Sequence, residues 1–214
     1  THSRSIETTK KLYKDVYKAN LYPNLWYYYK GKPMIISYTD ITDDYAEAIT
    51  RDDNTYKTSE MPTEILNFFS FKYPQWPNEG VNHYNGFPYV EWEYPLPVHN
   101  DVMNVSAASQ HWACMSNAYT HPYTTLPWGR GFDFNTNTNI SANSDKGTYF
   151  QAQWNDAFRQ DPDIVFIDGW NEWIGYKVNY GGQIVFVDAF TKEFSRDIEP
   201  MKGGHEDAFY LQTI

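Results

Sequence analysis

Glu172, set in the run Trp170-Asn171-Glu172-Trp173, has the neighbours that acid–base chemistry calls for. A carboxylate flanked by an amide and two indole rings can hold or transfer a proton while the rings stack on a flat apolar ligand face. Hydrolysis of a glycosidic bond takes two such carboxyl groups, one to protonate the leaving oxygen and one to activate a nucleophile or act as one. Asn171 would hold a ligand hydroxyl. The competing reading is a carboxylate satisfied by neighbouring donors. Glu91 and Glu93 form a second acidic feature. Two residues apart on a strand, they share a face with Trp92 on the other, and carboxylates that close suit an acid catalyst. Outward acids on an edge strand are the alternative. Asp40, Trp76 and His111 each follow an apolar run and are candidate ligand contacts, although a histidine among aromatics also serves as a structural ring.

Positioning these groups falls to short apolar runs that end in polar or aromatic residues. Ser5 to Lys18 carries Ile6, Leu12, Val16 and Tyr17 at helical spacing. Met34 to Tyr38 reads as a buried strand ending at Asp40; further strands are expected at Ile65 to Tyr73, Tyr89 to Tyr94, Val102 to Ser109, Ile164 to Gly169 and Ile184 to Val187. Between the fourth and fifth of these six, Gly147 to Gln160 places Phe150, Trp154 and Phe158 every four residues, the mark of a helix with one inward stripe. Apolar strands alternating with helices favour an α/β fold with a parallel sheet, and polar groups gathered at strand C-terminal ends fit a (β/α)8 TIM-barrel type. Six strands are too few to close that barrel. The expectation is that residues 1–214 supply roughly its C-terminal half, the missing N-terminal strands belonging to a separate segment. A doubly wound open sheet is the main alternative, but no Gly-x-Gly-x-x-Gly turn is present. Asp40 to Pro62, Pro74 to Gly86 and Thr120 to Asp145 read as loops.

Charge and composition narrow the classes further. Lys plus Arg number 17 against 27 Asp plus Glu, and the net charge of -10 argues against nucleic acid as a partner. No run of ~18 apolar residues offers a membrane span. Cys114 stands alone, so disulfide frameworks and cysteine zinc clusters are excluded. Neither His-Glu-x-x-His nor Gly-x-Ser-x-Gly occurs. Asp133 to Asn137 imitates the start of a calcium loop but lacks the sixth-position glycine and twelfth-position acid, which favours a polar turn. No cofactor or metal is called for. Aromatic residues make up 19% of the chain, with 8 Trp and 19 Tyr, enough to fill a core and also line a groove for sugar faces.

Trp170-Asn171-Glu172-Trp173, followed by Ser195-Arg196-Asp197-Ile198-Glu199-Pro200, resembles bacterial proteins related to glycoside hydrolase families 71 and 99, the latter containing endo-α-mannosidases and polysaccharide-biosynthesis relatives. Gly31-Lys32-Pro33, Gln151-Ala152-Gln153-Trp154 and Phe186-Val187-Asp188 fit the same resemblance. It implies a barrel glycosidase, secreted or periplasmic, with a carbohydrate substrate. Glu172 then matches the family's first Glu, a base. Where the family pattern has a second Glu this chain has Gly175, so the proton donor has to come from Glu199, Glu93 or Glu91. A non-catalytic carbohydrate-binding relative that lost one acid is the alternative.

Overall fold

The structure, a computed structural model, describes residues 2–39, 60–76, 85–109, 128–172, 177–180, 183–186 and 191–214. Asp40, His111 and Trp173 lie outside the described residues. The chain gathers into two compact units, one of residues 1–75 with 84–87, the other of 76–83 with 88–214.

In the first unit, helix α1 (His2–Leu12) continues into a π-helical turn, Tyr13–Tyr17. Ile6, Thr9 and Tyr13 fall on one side and are buried; of the face expected from the sequence, Ile6 is buried and Val16 and Tyr17 are half-buried, but Leu12 is 40% exposed. Strands β1 (Tyr28–Tyr29) and β2 (Lys32–Ile36) form a hairpin in which Lys30 and Gly31 both take positive φ, 50° and 80°. That is the two-residue turn whose twist matches the strands. The run read as a strand from Ile65 to Tyr73 is instead helix α2 (Thr63–Phe68) followed by β3 (Ser70–Gln75). Ile65, Phe68 and Phe69 stand at i, i+3 and i+4, a helical period that a short apolar run conceals. Ile65 and Phe69 pack with Ile6, Tyr13 and Met61. β3 pairs in parallel with β2, Met34 opposite Ser70, and β4 (Gly86–Pro88) completes the order β1-β2-β3-β4.

The second unit is built on a parallel pair. β5 (Val102–Ser106) runs beside β8 (Ile164–Asp168), Val102 opposite Ile164 and Ser106 opposite Asp168. Between them in the chain come a hairpin, β6 (Phe132–Asp133) with β7 (Thr138–Asn139), a 3-10 turn at Ser141–Lys146, and helix α3 (Thr148–Gln160). All of β5 is buried, and Met103 and Val105 pack with Phe150, Ala157, Ile198 and Phe209. Of the expected stripe on α3, Phe150 is fully buried and Trp154 partly so, but Phe158 is 74% exposed and stacks on Trp154. A step of four residues overshoots one 3.6-residue turn by about 40°, so after two steps the ring has rotated away from the core. Tyr149, Gln153 and Asp156 complete the buried face instead.

Two further strand expectations are corrected. Tyr89 to Tyr94 forms no strand, because the Glu91 carboxylate takes the amide protons of Trp92 (2.6 Å) and Glu93 (3.0 Å) that a ladder would have used. Of the run Ile184 to Val187, residues 184–186 lie in β10 (Gln183–Phe186), which pairs antiparallel with β9 (Lys177–Tyr180) instead of joining a parallel sheet, and Val187 lies outside the described residues. Helix α4 (Ala208–Thr213) follows near the end of the chain.

Candidate functional site

β8 ends at Asp168, and there Gly169 turns the chain with φ of +79°. A Cβ at this position would stand 2.7 Å from the carbonyl oxygen of Arg196, so only glycine admits the approach. The approach is used: Ile198 N–H donates to Gly169 O (3.0 Å) and Glu199 N–H to Trp170 O (2.9 Å). The segments around Trp170 and Glu199 thus run side by side.

Side chains fasten the same junction. Arg196, 9% exposed, donates from Nη1 to Asp168 Oδ2 (2.8 Å) and from Nη2 to Glu172 Oε2 (3.4 Å). The Asp197 carboxylate, fully buried, accepts the Glu172 backbone N–H. Beneath them Arg130, also fully buried, donates to Ser195 Oγ (2.8 Å) and to Asp197 O, and its guanidinium lies 4.2 Å from the Phe209 ring centre. His205, 3% exposed, faces Glu199 O at 3.1 Å through Nε2. A carbonyl only accepts, so Nε2 carries the proton.

Burial, and secondarily the Arg130 charge, lower the His205 pKa below its ordinary 6.5. The unfolded imidazole therefore binds a proton more readily than the folded one. Its contribution to stability is complete above about pH 6.5 and is lost as pH falls below that value. We expect the melting temperature to drop on acidification from pH 7.5 to 5.5, with a shallower drop in His205→Gln, whose amide can still donate to Glu199 O. Equal slopes in the two proteins would reject the assignment.

Glu172 itself is not buried. Its side chain is 62% exposed, and Trp170, 49% exposed, meets the edge of Tyr210 at 6.5 Å. Alternation along a strand, which would have placed Asp168, Trp170 and Glu172 on one face, stops where Gly169 turns. Asn171 is exposed, and Glu199 half-buried.

The other acids are elsewhere. Glu91 is 4% exposed and its second oxygen meets His99 Nε2 at 2.7 Å, while its carbonyl accepts from Ser109 Oγ (3.2 Å). Glu93 is exposed, so the two do not share a face, and no described contact joins Glu93 to the Arg196 cluster. Trp92 is half-buried. Trp76, 44% exposed, meets the edge of Tyr89 at 4.8 Å. Glu91 works as a loop anchor. Replacing it by Ala would leave His99 and two amides without their acceptor, and we expect a loss of about 3 kcal/mol in urea unfolding; a loss below ~1 kcal/mol would reject that role. Asp133 accepts from Asn135 N–H (2.8 Å), the polar turn expected, and no metal-binding group of three acids, histidines or cysteines occurs among the described residues.

Arg130, Arg196 and Asp197 were not singled out from sequence. Arg196 and Asp197 fall inside the run Ser195 to Pro200 quoted above, but nothing local marks them, or Arg130, as the groups that hold the acids. No protein-family model matches the chain, and no similarity to a curated protein or a solved structure was found.

Proposed function

We propose that the chain acts on carbohydrate as a glycoside hydrolase, with Glu172 as base or nucleophile. One observation carries this reading. A single guanidinium touching Asp168 at 2.8 Å and Glu172 at 3.4 Å holds their carboxylates within about 9 Å of one another, inside the ~5 to 10 Å over which carboxyl pairs flank a scissile bond. The pair sits at the C-terminal end of a parallel strand, where barrel enzymes place their chemistry. Arg196 positions both acids, Trp170 offers a half-exposed ring for a sugar face, and Glu199 on the adjoining segment is the candidate proton donor. The (β/α)8 architecture belongs to the same proposal and is supported by the parallel pairs β2 with β3 and β5 with β8, the second connected through α3. So does a secreted or periplasmic bacterial setting, for which the resemblance is the support. Among the described residues no helix is long and apolar enough to cross a membrane.

A second reading has its own observation. Glu172 is mostly exposed, whereas hydrolytic carboxylates work best where water is sparse, and Gly175 replaces a family acid. Both favour a carbohydrate-binding protein without turnover. Incubating the chain with a panel of polysaccharides and N-glycans separates the two: new reducing ends support hydrolysis, binding without them supports the second reading, and neither rejects both.

A further inference from the structure

The second unit contains a recess of about 500 Å³ that shares no residue with the Arg196 cluster, a volume that suits a small ligand. One wall is α3, where Gln151, Asn155 and Arg159 recur every four residues on the solvent side with Ala152 between them. The other is the start of the β6–β7 hairpin, Phe132 to Asn135, and Tyr94 adjoins it.

An aromatic platform is built into this recess. Tyr94 lies flat on Phe134, ring centres 3.6 Å apart at 16°, and Phe134 stacks in turn on the buried Tyr149 at 5.6 Å. The edges of Trp128 and Phe132 meet Phe134 at 5.4 and 5.0 Å. The Tyr94 ring is therefore held in plane by Phe134 on one face and by packing against the core. Burial and the nearby Asp156 charge push the Tyr94 pKa up, which keeps its hydroxyl a donor.

Fixed amides stand beside the ring. Gln151 donates from Nε2 to Asn155 Oδ1 (3.0 Å) and accepts from Gln212 Nε2 (3.1 Å). These contacts orient the Asn155 amide and leave its NH2 uncommitted among the described residues. Across the recess Asp133 Oδ1 accepts from Asn135 N–H, leaving Oδ2 and the Asn135 side chain uncommitted among the described residues. Arg159, the sole cation of the lining, is paired with Asp156, whose other oxygen accepts from Leu96 N–H (2.7 Å). A neutralised cation beside a second carboxylate disfavours phosphate or sulfate. A flat ring flanked by amides and a carboxylate suits a neutral ligand with one apolar face and hydroxyls around its edge.

We propose that this recess is a saccharide subsite separate from Glu172, holding one or two neutral pyranose rings against Tyr94 with hydroxyls on Asn155, Asp133 and Asn135. It stands on the chemistry of the recess alone, whatever Glu172 does. The test is an amide NMR titration of the whole chain with methyl glycosides of glucose, mannose, galactose and N-acetylglucosamine, and with cellobiose and maltose. Saturable shifts at residues 133–135 and 151–159 are expected with at least one of these, unchanged in Glu172→Gln. Tyr94→Ala and the exposed-site Asn155→Ala should each weaken binding by up to about ten-fold. Ala152→Trp, which fills the recess while sparing the ring stack, should abolish it. The proposal is overturned if no sugar gives saturable shifts there, or if folded Asn155→Ala and Ala152→Trp bind like the parent.

Discussion

Glu172→Gln is expected to cut turnover of the carbohydrate substrate roughly a thousand-fold or more with little change in melting temperature. Glutamine keeps the size of the side chain and can still accept from Arg196 Nη2, while the hold of Asp197 on the 172 backbone N–H does not involve the side chain at all. What disappears is the charge, and with it the capacity to take a proton or attack. The ion pair lost is a loose one with a mostly exposed partner, and such pairs contribute at most about 1 kcal/mol. Asp168→Asn separates positioning from chemistry. Asp168 is 17% exposed and makes the shorter contact with Arg196, so losing its charge should loosen its hold on the guanidinium, lower kcat and leave a residual rate above that of Glu172→Gln. Near-parental kcat in Glu172→Gln, measured by reducing-end release, would remove the hydrolase assignment, and sugar binding retained in that same variant would leave the binding-only reading standing.

How far the sequence announced this arrangement depended on whether the signal was local. β5, α3 and β8 were legible because each combines a clear apolar run or period with an unambiguous break: the apolar run before Gly169, or the helical spacing between Gly147 and Gln160. The segment around Ile65 was misread because an apolar run of that length satisfies helix and strand alike. Tyr89 to Tyr94 was misread for a different reason, since a single buried side chain, Glu91, diverts the backbone amides that a strand would pair. β9 passed unnoticed in the alternation of Lys177-Val178-Asn179-Tyr180, four residues without a strong apolar signal. In the site, the acids of the two motifs were recognisable by type, but what fixes them was not. Arg196 reaches back 28 residues to Asp168, Asp197 reaches 25 to Glu172, and Arg130 reaches forward 67 to Asp197. Such partnerships follow from how the segment after β10 folds back on Gly169, and spacing along the chain does not encode them. The exposure of Glu172 has the same origin, since alternation ceases to apply once a positive-φ glycine ends the strand.

Arg130→Ala is expected to produce the largest stability loss of any single change in this unit, about 4 kcal/mol in urea unfolding. A fully buried guanidinium is costly to desolvate, and hydrogen bonds and ring contacts offset part of that cost. Here it donates to Ser195 Oγ and Asp197 O and lies over Phe209. Truncation would therefore leave a cavity beside Phe209, strip two acceptors of their donor and unpin the segment whose Arg196 and Asp197 hold Glu172. Arg130→Met fills most of the same space without charge, so it isolates the hydrogen bonds from the packing; a loss of about 1 to 3 kcal/mol is expected there. Because the Arg130 charge helps to hold the His205 pKa down, the methionine variant should also raise that pKa, read from the imidazole proton shifts against pH. Burial is the larger cause, so the value should stay below the ordinary range. A loss under ~1 kcal/mol in Arg130→Ala, or an unmoved His205 titration in Arg130→Met, would mean that the buried arginine does not organise the acidic segment, and Arg196 would then have to hold Asp168 and Glu172 without support from beneath.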